Sequence, residues 1–370
     1  MSQVQRRLIT YCSNIHRAES WQETFAALRE HVPRVKERVS PEHAFPIGLR
    51  LCERAATELA AWGVDRFEEW LRAENCFVPT INGFAYGAFH GTLVKMNAYL
   101  PDWHSRERRD YTILLADLLS GWLPEGMTGS ISTVPVGFKA HVSPVEFRAR
   151  LLDVLRHLDQ LWQVRGADIV LALEPEPGCV LETAADMAHF VEWMDFPEEL
   201  QSRLGICLDC CHHAIQFEDP GEVAAALAGV RIAKVQASSA LTVTHDRRQA
   251  LNPFVEPRYL HQVVIRDRNG RLSRYYDLPD ALLEHEGEGG DEWRCHFHVP
   301  LFMERAGEVE TTRFFVEGLL PHLDPGLLLE VETYSWSALQ PKLRPEGLTE
   351  SIVREIRWLQ EAADAAHRRP

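Results

Sequence analysis

A (β/α)8 TIM barrel is the fold the sequence predicts, and three observations predict it. Eight short β-rich runs alternate with amphipathic stretches along the chain. No Gly-x-Gly-x-x-Gly follows the first run and no phosphate loop occurs, which argues against an open doubly wound sheet. The 370 residues, 45% apolar and 25% charged, suit one large domain or two ordinary ones. The strand count favours a single domain over residues 1–370.

Arg7 to Cys12 reads as the first strand. Trp21 to Val39 follows as a helix, with Trp21, Phe25, Leu28, Val32 and Val35 on one face. Phe45 to Arg50 is strand and Glu53 to Ala73 helix; Cys76 to Ile81 is strand, then a long loop over 83–102 leads to a helix from Arg106 to Trp122. Met127 to Val134 precedes a helix from Pro144 to Arg165. Asp168 to Glu174 is the clearest strand, followed by a helix from Thr183 to Met194. Leu204 to Asp209 and Val230 to Gln236 are the sixth and seventh strands, with a helix near Pro220 to Leu227 between them. Glu308 to Leu320 is expected as helix, Gly326 to Glu332 as the eighth strand and Thr349 to Ala366 as the last helix.

Residues 238–300 interrupt the seventh unit. Alternating runs from Tyr259 to Ile265 and from Arg271 to Tyr276 flank Asp267-Arg268-Asn269-Gly270, the signature of a β-hairpin. The insert therefore sits in the seventh β-to-α loop, at the catalytic face of a barrel. Its acidic, Gly-rich stretch from Glu284 to Asp291 is expected to be a mobile tip.

The formal charge of −15 opposes a phosphate-backbone binder, so no nucleic-acid partner is expected. No run of about 18 apolar residues occurs, so no membrane span is expected, and the N-terminus does not read as a secretory signal. Cys12, Cys52, Cys76, Cys179, Cys207, Cys210, Cys211 and Cys295 are scattered, as in a cytoplasmic protein with reduced thiols.

The strand ends carry the chemistry of such a fold. The fifth ends in Glu174-Pro175-Glu176, the sixth in Asp209 with His212 after it, the seventh in Gln236, and the eighth in Glu330 and Glu332. The insert returns through His296-Phe297-His298, while Asn14, His16, Asn82 and His90 add polar groups. Carboxylates gathered in one mouth repel, and one divalent cation relieves that repulsion. Imidazole with carboxylate suits Mn, Fe, Co or Zn; oxygen alone suits Mg. Glu176 also fits a solvated loop position, and His213 fits helix surface or core.

These residues resemble the xylose isomerase-like barrels, which include sugar isomerases, ketose epimerases and the endonuclease IV type of nuclease. The resemblance lies in Leu171-Ala172-Leu173-Glu174, Leu208-Asp209-Cys210-Cys211-His212 and Leu327-Leu328-Leu329-Glu330. It implies Glu174, Asp209 and Glu330 as metal ligands, Glu174 and Glu330 also as proton-moving groups, and His212 close to substrate. Where the family has a ligand histidine, this chain has Gln236, so Gln236, His298 or His296 completes the set. Asn82, Trp103, Glu176, Lys234, Glu332 and Trp336 are the candidates for contacting substrate.

Over nearly its full length the chain is also similar to the bacterial metabolite traffic protein EboE family. The similarity lies in Tyr11-Cys12-Ser13-Asn14-Ile15-His16, Asn82-Gly83-Phe84, His296 to Phe302 and Glu330 to Trp336. It implies handling of a small secondary-metabolite precursor, with protein partners of the same pathway. A metal-dependent isomerase or epimerase and a catalytically degenerate handover protein both fit. A nuclease needs more histidines at strand ends and less acid.

Overall fold

The computed structural model describes residues 7–90, 94–139, 147–287 and 289–368. In chain order the strands are β1 (Ile9–Tyr11), β2 (Phe45–Arg50), β3 (Cys76–Asn82), β4 (Thr128–Thr133), β5 (Asp168–Leu173), β6 (Leu204–Asp209) and β7 (Ile232–Ala237). Six more follow: β8 (Leu241–Thr244), β9 (Val263–Arg266), β10 (Leu272–Tyr275), β11 (Glu292–Cys295), β12 (Arg305–Ala306) and β13 (Val309–Thr311). The last is β14 (Leu329–Val331).

The first seven strands and β14 form one parallel eight-stranded sheet in the order β1-β14-β7-β6-β5-β4-β3-β2. A parallel bridge between Cys12 and Gly48 closes it, helped by the Thr10 hydroxyl donating to Pro46 O at 2.6 Å. The expected (β/α)8 barrel is the fold.

Strand alternation explains what faces where. Ile47, Leu49, Ile81, Ile131, Leu171, Leu173, Ile206, Leu208, Val235 and Leu329 join the core shared with the surrounding helices. The other parity carries small or polar residues: Gly48, Thr80, Ser130, Ala172, Gly205 and Cys207. Thr80 and Ser130 hydroxyls meet across the interior at 2.8 Å.

Caps fix several helix starts. Ser20 and Glu23 form a capping box on Trp21–Val39, and Thr183 with Asp186 does the same for Ala184–Met194. The helix expected over Glu53 to Ala73 is two, Glu53–Trp62 and Val64–Ala73, broken at Gly63 with φ +114°. Phe147–Arg165 is helical; residues 144–146 of that expectation lie outside the described residues. The last helix is Leu348–Arg368.

The insert is larger than a hairpin. The β9–β10 pair forms antiparallel across the Asp267–Gly270 turn, where Gly270 has φ +82°. It extends into a six-stranded sheet, order β10-β9-β11-β8-β13-β12. Trp293, Phe297, Val263, Ile265 and Leu278 fill that sheet's own core. The sheet runs past Pro300 to Thr311, so Val309–Thr311 is strand where helix is expected, and the helix begins at Phe314. In the Gly-rich stretch after Glu284, residue 288 lies outside the described residues. All eight cysteines are unpaired and buried, and among the described residues no helix is long and apolar enough to cross a membrane.

Candidate metal centre

Glu174 follows β5, Asp209 ends β6 and Glu332 follows β14, so three strand ends deliver three buried carboxylates. One oxygen from each lies within 4.8 Å of the others. Glu174 Oε2 is buried and makes no hydrogen bond, and Asp209 Oδ2 is buried with no nitrogen or hydroxyl donor, the Asp209 carboxylate instead meeting the Glu332 carboxyl, which holds the shared proton. Buried anionic oxygens without partners are costly. Asp209 Oδ1 is held by the Ser238 hydroxyl at 2.7 Å and by His212 N at 3.0 Å, which aims the other oxygen inward. Asn14 Nδ2 donates to Glu332 Oε1 at 2.7 Å.

Three imidazoles face this group. His212 Nδ1 lies 2.9 Å from Pro175 O, His298 Nδ1 3.0 Å from Glu332 O, and His296 Nδ1 2.7 Å from Gln262 Oε1. Gln262 Nε2 donates to Tyr99 Oη, Glu176 Oε1 and Pro177 O, so its oxygen must accept from His296. Each Nδ1 therefore carries a proton, and the Nε2 of His296 and of His298 presents a lone pair, whereas Asp209, Glu176 and Glu174 raise His212 above the ordinary imidazole range against its burial. His296 Nε2 and His298 Nε2 are 3.1 Å apart. Two lone pairs at that distance need a proton or a cation between them. Carbonyls that orient imidazoles from behind are the usual outer support of ligating histidines. Asp209, His212 and His298 converge within 4.8 Å, as do Glu176, His212 and His296. The donors fit a divalent transition cation.

The electrostatics agree with crowding of like charge. Burial pushes the Glu174 carboxyl up to about 8, with Asp209 adding to the rise against His212 and Lys234. Burial, with Glu174 and Asp209 beside it, raises Glu332 well above the usual carboxylate range. Burial would also raise Asp209, but His212 and His298 outweigh it and hold it at about 2. Burial and the neighbouring His212 and His298 push His296 well down.

Not every expected residue meets here. Glu330 points into the barrel interior: Lys234 Nζ is 2.5 Å from its Oε2 and Asn82 Nδ2 2.8 Å from its Oε1. The carboxylate that joins Glu174 and Asp209 is Glu332, two residues on. Lys234 is thus an interior counter-charge and away from the cavity wall. Gln236 lines the cavity, but its amide is tied to Asn82 Oδ1 and to the Cys207 thiol, both at 3.2 Å. Trp103 is wholly buried with Nε1 on Val134 O. Trp336 packs on the insert's core with Arg344 over its ring. Neither tryptophan lines the cavity, whereas Asn82, Glu176 and His212 do.

The cavity encloses about 80 Å³, room for several waters or a small ligand group. Phe84, Phe89, Tyr99, Tyr259 and Tyr334 rim it. Sequence reading missed Tyr259, which lines the cavity, and Gln262, which holds Glu176 and His296 from behind. Their signal is faint: polar side chains at the start of an expected strand.

A sequence profile for the xylose isomerase-like TIM barrel matches residues 47–273. Curated proteins include no match to the chain. Among solved structures, the IOLI protein with a bound zinc atom is 12% identical over 97% of this chain and 99% of its own, with a TM-score of 0.54. A xylose isomerase-like TIM barrel protein from Mycobacterium smegmatis, in complex with magnesium, is 12% identical over 99% of both chains, with a TM-score of 0.53. The probable 3-DHS dehydratase AsbF from Bacillus anthracis, involved in petrobactin synthesis, is 14% identical over 95% of this chain and 98% of its own, with a TM-score of 0.50. At these identities the likeness concerns the fold.

Proposed function

The chain belongs to the xylose isomerase-like TIM barrel family, and from that premise we propose that its barrel mouth holds one divalent cation and acts on a small hydroxy-carbonyl metabolite. The observation that carries this is the convergence of three buried carboxylates, Glu174, Asp209 and Glu332, with Glu174 Oε2 unpartnered among them. Structural neighbours that hold zinc or magnesium support it. Glu174, Asp209, Glu332 and His298 are the ligands, His298 being the one of the three candidates Gln236, His298 and His296 that completes the set. The bound cation supplies charge that polarises adjacent substrate oxygens.

The chain's own groups do the rest. Tyr99 Oη and Gln262 Nε2 hold Glu176 Oε1 at 2.7 and 2.9 Å, leaving its second oxygen to take and return a proton. His212, its Nδ1 tied to Pro175 O, directs Nε2 at a substrate oxygen. The aromatic rim excludes water from that transfer. The reaction class is isomerisation or epimerisation by proton movement beside a carbonyl.

The rim favours a second reading. Five aromatic side chains around a small cavity suit capture of a flat or apolar metabolite. That fits the metabolite-traffic role implied by the EboE resemblance, with handover to protein partners of the same pathway. Incubating the protein, loaded with manganese or zinc, with a panel of ketoses and hydroxy-acids separates the two. Exchange of a substrate carbon-bound proton with deuterated solvent, lost in Glu176→Gln, supports the enzyme. Binding without exchange supports handover.

A further inference from the structure

Outside the barrel mouth, one cluster in the insert has the make-up of a metal site. His245 follows β8, Asp291 precedes β11, and His285 caps the helix Leu278–Glu284. One donor atom from each lies within 4.8 Å of the others. His245 and Asp291 are brought together by strand register: Thr244 pairs with Glu292, and His245 N donates to Asp291 O at 2.8 Å. His285 is brought in by the loop, its Nε2 3.6 Å from Asp291 Oδ2.

Two further features separate this from a chance gathering. His245 Nδ1 and His285 Nε2 are buried with no hydrogen-bond partner, and His245 itself is only 7% exposed. The other nitrogen of His285 is taken by Tyr275 Oη at 3.1 Å, which fixes the ring. The loop is also cut to fit the donors. A Cβ at Gly287 would lie 2.4 Å from His285 Nε2 and 2.7 Å from Asp291 Oδ2. A side chain there would push one or both donor side chains away. Trp293 walls the group, with its ring 5.8 Å from His245 and 5.3 Å from His285.

We infer that His245, His285 and Asp291 form a second cation site, specific for zinc-like ions, which fastens the end of the helix Leu278–Glu284 to the β8–β11 pair. Two imidazoles and a carboxylate favour a borderline cation over magnesium or calcium. The site shares no residue with the mouth. Its bearing on the mouth runs along β11, which begins beside Asp291 and ends at Cys295, next to His296. A fastened first residue holds the strand that delivers His296 and His298.

The test is equilibrium dialysis of the full chain against zinc after chelation, with cobalt(II) absorption as a second readout. His285→Asn and His245→Asn are each expected to remove about one equivalent of zinc and the matching share of the cobalt bands. In an Asp209→Asn background, which disables the mouth, about one equivalent is expected to persist and then vanish with His285→Asn. Near-ultraviolet circular dichroism of Trp293 checks folding of every variant. Unchanged zinc content in folded His285→Asn and His245→Asn overturns the inference. So does an Asp209→Asn protein that binds none. Zinc lost from Asp209→Asn but not from His285→Asn upholds the mouth and sinks the insert site alone.

Discussion

The Lys234 ammonium lies 2.5 Å from Glu330 Oε2, and neither side chain reaches solvent. Asn82 Oδ1 accepts a second hydrogen bond from Lys234 at 2.5 Å while Asn82 Nδ2 serves Glu330. The pair is a closed unit inside the barrel. Removing one partner leaves a buried charge alone, at a cost of about 3–5 kcal/mol. Lys234→Met is therefore expected to lower unfolding free energy by that much in urea, and Lys234→Met with Glu330→Gln to recover most of it. A single variant as stable as the parent would contradict this pairing.

The same interior explains Gly48. A Cβ there would meet Glu330 Oε1 at 1.8 Å and Tyr11 O at 2.7 Å. The backbone oxygen cannot swing aside. Gly48→Ala is expected to destabilise by roughly 1–3 kcal/mol by overpacking at the seam where β1 meets β2. Thermal unfolding monitored by circular dichroism reads it.

Glu330 and Glu332 should part company in metal binding. Glu332→Gln is expected to weaken divalent cation binding at the mouth at least about tenfold, within the range for a lost ligand or its supporting partner. Glu330→Gln should change it much less, because Glu330 answers Lys234 instead. Titration calorimetry with manganese on both variants makes the comparison; equal losses would merge the two roles.

Stability should depend on pH through Glu355. Burial pushes this carboxyl up to about 7 from an ordinary 4.5, against hydrogen bonds from Thr333 Oγ1 and Leu301 N that favour its charge. Between those values the folded chain keeps a proton that the unfolded chain has lost, so stability falls as pH rises through that window. The shift corresponds to about 3 kcal/mol. Glu355→Gln keeps an acceptor for both donors and should flatten the fall. Denaturant midpoints for both proteins from pH 4.5 to 8 give the answer, and parallel curves would refute it.

Much of the barrel was legible because outward residues such as Ile47, Leu171 and Val235 alternate with small or polar ones. The helix from Trp21 was legible from the apolar spacing after it, and in the fold Ser20 caps its start. The split at Gly63 was not, since a glycine within a helical pattern does not reveal its φ. Val309–Thr311 read as helix because three residues of strand leave no period to detect. At the site, Glu174, Asp209 and His298 were within reach of strand-end logic. Which of Glu330 and Glu332 joins them was not. Both lie on one face of the strand, and their depth depends on the register that sets Glu330 beside Gln236 and brings Lys234 to it. Gln262 was hidden because its partners, Tyr99, Glu176 and His296, come from three distant segments.

The central claim is a divalent cation held at the mouth by Glu174, Asp209 and Glu332. Metal content by plasma mass spectrometry, in a His285→Asn background so that only the mouth is counted, tests it most directly. The account predicts about one divalent cation per chain, falling below roughly a tenth of that with Asp209→Asn, a ligand loss of the size expected for a strand-end carboxylate. Equal metal content in the two proteins, both folded, would contradict it.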